Sequence, residues 1–214
     1  MADSQKKRGK LFVVAAPSGT GKTSLVRALM QCMPQLRFSI SYTTRARREN
    51  ERHAHDYFFV DNAEFERMIA AREFLEYANV YGNFYGTSRM QVDALLAAGD
   101  NVLLEIDWQG AQQIAQAMPE RRAIFILPPS RAALESRLRG RQTDSDEVIA
   151  RRLRASIEDL SHWTEFDYVV INDEFERAAA ELEAIVRGHG EHLQRDRPEV
   201  RALVERLLHH EDRM

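Results

Sequence analysis

An apolar run, Leu11-Phe12-Val13-Val14-Ala15, enters the stretch Ala16-Pro17-Ser18-Gly19-Thr20-Gly21-Lys22-Thr23, and a helix-like run, Ser24-Leu25-Val26-Arg27-Ala28-Leu29-Met30, leaves it. A buried strand, a glycine-rich turn and a helix in that order form a phosphate cradle. Glycines let the backbone curl so that successive N–H groups point inward at phosphate oxygens, and the helix N-terminus adds its positive end. Lys22 supplies a mobile ammonium for the outer phosphates, and the Thr23 hydroxyl can ligate Mg²⁺. The general pattern opens on glycine where Ala16 stands here, but Gly19, Gly21, Lys22 and Thr23 keep the parts that touch phosphate. A nucleoside triphosphate is expected along Ala16 to Ser24.

Apolar runs and helical periods alternate over most of the remaining chain. Strands are expected at Arg37–Ile40, Asn101–Ile106, Ala123–Leu127 and Tyr168–Ile171, several of them apolar at consecutive positions, as in a parallel sheet covered on both faces. Helices are expected near Met90–Ala98, Ala111–Met118, Arg131–Arg139, Glu147–Leu160 and Phe175–Val186. This order predicts an α/β fold, a three-layer core with a parallel sheet. Residues 42–87 break the alternation with an arginine-rich loop and aromatic segments, Tyr57-Phe58-Phe59-Val60 and Phe74–Val80, and suit a small, partly antiparallel lobe inserted into the core. Residues 137–152 hold Arg137, Arg139, Arg141, Arg151 and Arg152 around a polar turn, and read as an arginine-rich lid.

Charge and cysteine content narrow the class. A net charge of −3 argues against a general nucleic-acid binder, and no run approaches the length of a membrane span. Cys32, the single cysteine, permits no internal disulfide and is expected as a small core residue. Lys6, Lys7, Arg8 and Lys10 precede no apolar segment long enough for a signal peptide, so a cytoplasmic protein is expected. Between Arg121 and Arg154 nine arginines face four acidic residues, and Arg45, Arg47, Arg48 and Arg52 form a second cluster. Planar guanidinium groups match phosphoryl oxygens, so several of these are expected to point at phosphate. His53-Ala54-His55-Asp56 has metal-ligand residue types but no second cluster, and is read as a polar loop.

A phosphate loop alone does not separate a kinase from an ATPase or a GTPase. The segments Ser41-Tyr42-Thr43-Thr44-Arg45-Ala46-Arg47-Arg48, Asp56-Tyr57-Phe58-Phe59-Val60, Phe74-Leu75-Glu76-Tyr77-Ala78, Gly82-Asn83-Phe84-Tyr85-Gly86-Thr87 and Leu104-Glu105-Ile106-Asp107-Trp108-Gln109-Gly110 resemble, in that order, those of the guanylate kinase family. The resemblance runs from about Gly9 to Gly188. It implies Mg²⁺-dependent phosphoryl transfer from ATP to GMP. It implies that Arg45, Arg48, Tyr57 and Tyr85 grip the GMP phosphate, and that Ser41, Glu76, Thr87 and Asp107 read the base. It sets Arg137, Arg141, Asn172 and Asp173 on ATP beside the loop, and Arg141 and Arg152 on the group in transfer. Gln142 and Asp144 depart from the family's usual glycine and glutamate in that lid. Glu105 and Asp107 are read as holding the metal through water.

The chemistry agrees with a guanine reader. Guanine presents N1–H and an N2 amine as adjacent donors that one carboxylate can accept, whereas adenine has an acceptor at N1 and no N2 amine. Two rivals stand beside this reading: an interaction module that has lost catalysis, against which the intact Gly21-Lys22-Thr23 argues, and a kinase of the same fold acting on AMP, dTMP or a ribose phosphate, against which the guanine set argues. Residues 189–214 lie beyond the match. There Val200, Leu203, Val204, Leu207 and Leu208 share one helical face, which packs on its own core or pairs with another subunit.

Overall fold

A computed structural model describes residues 7–80, 82–140 and 146–209. They fall into two compact units: residues up to Val13 with Pro34–Arg121, and Val14–Met33 with Arg122 onward. Strand β1 (Leu11–Ala15), buried at every position, has residues in both.

In the first unit β2 (Leu36–Phe38) pairs parallel with β7 (Asn101–Glu105), in the order β2-β7-β1. Helices α3 (Arg89–Ala97) and α4 (Trp108–Ala117) flank β7 in sequence. The inserted segment forms a second sheet of β3 (Tyr42–Thr43), β4 (Phe58–Phe59), β5 (Phe74–Val80) and β6 (Asn83–Ser88), ordered β4-β3-β6-β5. Strands β5 and β6 make an antiparallel hairpin whose turn holds Gly82 at a φ of 84°. Helix α2 (Asn62–Ala70), for which the aromatic alternation gave no sign, packs Phe65 and Met68 on Phe74 as a separate small core. Asp61 caps it by accepting the Glu64 N–H.

The second unit carries β8 (Arg122–Leu127) and β9 (Tyr168–Ile171), parallel to each other and ordered β1-β8-β9. Its helices are α1 (Lys22–Cys32), α5 (Arg131–Arg139), α6 (Asp146–Asp159), α7 (Phe175–Arg187) and α8 (Pro198–Leu208), with a 3₁₀ segment at Leu160–Glu165. The predicted parallel-sheet α/β class is present. Strand β2 begins one residue earlier than expected and stops at Phe38.

One expectation changes. Cys32 is exposed, because Leu25, Val26 and Leu29 take the buried face of α1 and the cysteine falls on the other side. The described arginines of the predicted lid sit on the two helices expected around it: Arg137 and Arg139 end α5, and Arg151 and Arg152 lie in the second turn of α6. Arg141, Gln142 and Asp144 lie outside the described residues. The apolar face of α8 is buried within the chain through Val200, Leu203, Val204 and Leu207, and Arg131 bonds the carbonyls of Leu207 and Leu208 at its C-terminus. No helix among the described residues is long and apolar enough to cross a membrane.

Candidate active site

The loop between β1 and α1 belongs to the second unit. Gly19 and Gly21 hold φ values of 88° and 90°, a region that side chains with a Cβ rarely enter. A Cβ on Gly21 would also lie 2.5 Å from the Asn172 amide nitrogen. Helix α1 opens on Gly21 with no side-chain cap and no acidic residue in its first turn, whereas α2, α3, α4 and α5 are capped by Asp61, Ser88, Asp107 and Ser130. With no side-chain cap and no acidic residue of its own, the positive dipole end of α1 favours an anion. Lys22 is its half-buried first residue, followed by exposed Thr23 and Ser24.

The loop's carbonyls are held from behind. Thr20 donates from its hydroxyl to the Pro17 carbonyl at 3.0 Å. The Thr20 carbonyl accepts from the Asn172 amide at 2.6 Å and from Arg137 at 3.2 Å, and Arg137 also donates to the Asn172 carbonyl at 2.8 Å. Two residues predicted to touch ATP are thus placed against the loop itself. Asp173 is exposed, accepts the Glu174 N–H and pairs with Arg177.

In the first unit two groups of the predicted residues come together. Arg45 donates to Glu51 at 2.7 Å and to the Ala46 carbonyl at 2.8 Å, and its guanidinium lies 5.5 Å from the Tyr57 ring centre. Tyr57 and Tyr85 meet edge to face with ring centres 5.9 Å apart. The predicted residues Arg45, Tyr57 and Tyr85 are therefore together, joined by Glu51, which gave no sign in the sequence. Glu51 also accepts the Arg48 backbone N–H, while the Arg48 side chain is exposed. Bonding to Glu51 first, and then to Tyr85, holds the Arg45 guanidinium protonated above its ordinary range. Arg45 pulls Glu51 below the usual carboxylate range. Burial first, and then the charge of Glu105, pushes the Tyr57 phenol up to about 12, so it remains a neutral donor.

The setting of Glu76 depends on an irregularity in β5. A register shift between Phe74 and Glu76 lets Phe74, Leu75 and Glu76 be buried in succession, so that Glu76 points inward only 3% exposed. It stands opposite Thr87, whose hydroxyl donates to Glu76 Oε1 at 2.5 Å. The Thr87 hydroxyl, one of the residues expected to read the base, is thus engaged with the carboxylate. Gln113 of α4 bonds both the N–H and the carbonyl of Tyr77, tying β5 to α4 beside Glu76. Gly110 lies in the first turn of α4, where a Cβ would come 2.4 Å from Glu76 Oε2. The helix was expected from Ala111, so the role of this glycine gave no sign in the sequence. Asp107 caps α4 by accepting the Gly110 N–H at 2.8 Å. Ser41 is half-buried just before β3, and its carbonyl accepts the Phe58 N–H. His53 accepts the Phe59 N–H at 3.2 Å.

The donors proposed for a metal are oxygens alone: the Thr23 hydroxyl and the carboxylates of Glu105 and Asp107. Among the described residues no group of three acidic, histidine or cysteine side chains forms a cage. A sparse set of hard oxygens fits Mg²⁺, which keeps several waters and is held largely by substrate phosphates.

Known proteins were compared with the chain. The guanylate kinase family model matches residues 8–189. The guanylate kinase of Methylococcus capsulatus is 52% identical over 201 residues, covering 94% of this chain and 98% of that protein. The guanylate kinase of Escherichia coli strain K12 is 48% identical over 203 residues, with the same coverage of 94% and 98%. The crystal structure of guanylate kinase from Anaplasma phagocytophilum superposes with a TM-score of 0.70 at 34% identity, covering 87% of this chain and 88% of that one.

Proposed function

This chain belongs to the guanylate kinase family and is an enzyme that phosphorylates GMP to GDP with ATP, and we propose that the two sets of residues described above divide the task. Glu76 carries the choice of acceptor. A buried carboxylate fixed by Thr87 and given room by Gly110 accepts both the N1–H and the N2 amine of guanine, with Ser41 donating to O6 and Asp107 beside it. Adenine would leave that carboxylate unpaired, which penalises AMP strongly. These contacts touch the base and not the sugar, so dGMP is an acceptor as well.

The acceptor phosphate, with a second pKa of about 6, is mostly dianionic at neutral pH and needs no general base. Arg45, Arg48, Tyr57 and Tyr85 hold it as donors. Residues Ala16 to Ser24 and the N-terminus of α1 hold the ATP phosphates, with Lys22 on the outer oxygens. Arg137 and Asn172 serve ATP through the Thr20 carbonyl, and Asp173 lies beside them. Arg152 neutralises the group in transfer, and the same role for Arg141 rests on the sequence resemblance. Thr23, with Glu105 and Asp107 through water, would hold Mg²⁺, which would supply positive charge against the phosphates. Residues 9–188 form the kinase unit, with the GMP lobe at 42–87 and the lid at 137–152, followed by a helical extension at 189–214. Because that extension buries its apolar face within the chain, self-association through α8 would use its polar side. A single-cysteine chain whose substrates are ATP and GMP works in the cytoplasm.

The test is a coupled ADP-release assay with GMP, dGMP, AMP, UMP or no acceptor. The expected order is GMP, then dGMP, with AMP, UMP and the blank near background. Absence of GDP from GMP, ATP and Mg²⁺ would sink the reading. Glu76→Gln keeps shape and size but replaces one accepting oxygen with an NH₂. It is expected to lower kcat/KM for GMP at least tenfold, about 1.4 kcal/mol, with the KM for ATP nearly unchanged. Equal losses for both substrates would reduce Glu76 to a structural role.

A further inference from the structure

Ser156 is fully buried on α6, and its hydroxyl donates to the Ser18 carbonyl at 3.1 Å, 138 residues away in the chain. Nothing in the kinase reading assigns it a role. The chain contains no cis peptide bond among the described residues, so in the Ser18–Gly19 peptide the C=O and N–H point in opposite directions. A carbonyl held by α6 therefore turns the Gly19 N–H to the other side of the loop, away from that helix. We propose that Ser156 is a positioning residue for the phosphate loop, fixing this peptide so that the Gly19 N–H meets the triphosphate.

The peptide needs such a hold. Rotating it by half a turn changes ψ of Ser18 and φ of Gly19, and glycine accepts either sign of φ at little steric cost. Apolar packing does not sense that rotation. The wall behind Gly19 is made by Leu134 and Leu138 of α5, whose side chains would lie 2.9–3.1 Å from a Cβ there, and they belong to a cluster with Ile149 and Leu153 of α6. Ser156 supplies this apolar α5–α6 pair with a directed donor at the loop, whereas the neighbouring Thr20–Gly21 peptide is held by Arg137 and Asn172. Ser156 also lies four residues after Arg152, on the same face of α6, so one hydrogen bond ties the arginine-bearing helix to the loop.

The inference rests on the kinase reading and is tested by binding as well as turnover. Calorimetry with MgATP and steady-state kinetics would be run on the wild type, Ser156→Ala and Ser156→Thr. Loss of one amide contact to a charged oxygen predicts about tenfold weaker MgATP binding in the alanine variant. A matching rise in the KM for ATP is expected, with the KM for GMP changed less than about twofold. Threonine keeps the hydroxyl and should restore ATP affinity. If alanine prevents folding, Ser156→Cys, a weak donor of similar shape, carries the same expectation of weak ATP binding. Wild-type ATP affinity in the alanine or cysteine variant overturns the proposal, as does equal weakening of ATP and GMP. A wild-type protein that binds MgATP but makes no GDP overturns the kinase reading instead.

Discussion

Lys22→Ala is expected to lower GDP formation by about 10³-fold or more, roughly 4 kcal/mol of transition-state stabilisation. In the proposed site two kinds of positive charge serve the triphosphate, and they respond differently to the substitution. The backbone and dipole at the N-terminus of α1 survive it, so MgATP should still bind, though less tightly. The ammonium is mobile and follows charge as it develops on the transferring group, so its loss should fall mainly on kcat. Lys22 is half-buried at the first position of the helix and fills no part of the apolar core, so a cooperative melt and the circular dichroism of the fold should persist. Turnover within tenfold of the wild type would remove Lys22 from the mechanism.

How far the sequence reached can be followed through individual residues. The loop was legible because the constraint is local: Gly19 and Gly21 adopt positive φ, and a strand and a helix flank them within a few positions. The catalytic family was legible because its motifs recur in order. The partners that shape the site were not, since each depends on tertiary approach. Glu51 bonds Arg45 across a loop of six residues that has no period. Thr87 meets Glu76 only through the β5–β6 register, and the bulge that turns Glu76 inward breaks the alternation that would have revealed it. Arg137 and Asn172 were read as ligands of ATP from their place in the chain. Their hydrogen bonds to the Thr20 carbonyl span 117 and 152 residues, a separation on which local pattern is silent. Cys32 failed for a simpler reason. It sits at the last turn of α1, where a small shift in the apolar stripe decides which side faces solvent.

Arg152→Ala is expected to reduce kcat by about 10³-fold, the range for a guanidinium that stabilises a transferring phosphoryl group. The reason lies in when the contact is made. In the proposed site the loop amides and Lys22 already hold the phosphates of ground-state ATP, so an additional guanidinium gains most as charge spreads over the equatorial oxygens in transfer. The KM values for ATP and GMP should therefore change little. Arg152 is half-buried on a regular stretch of α6 and shares a helix face with Ser156, which fixes that helix to the loop. Its backbone is thus pre-placed, and only the side chain need adjust, which favours a group acting on the reaction over one that merely screens surface charge. Lysine at this position should recover a minor part of the loss, because a point charge cannot reproduce two parallel N–H donors on one phosphoryl group. Steady-state kinetics of the alanine and lysine variants separate the possibilities. A large rise in KM with kcat preserved would make Arg152 a ground-state binder, and unchanged values for both constants would leave it outside the chemistry altogether.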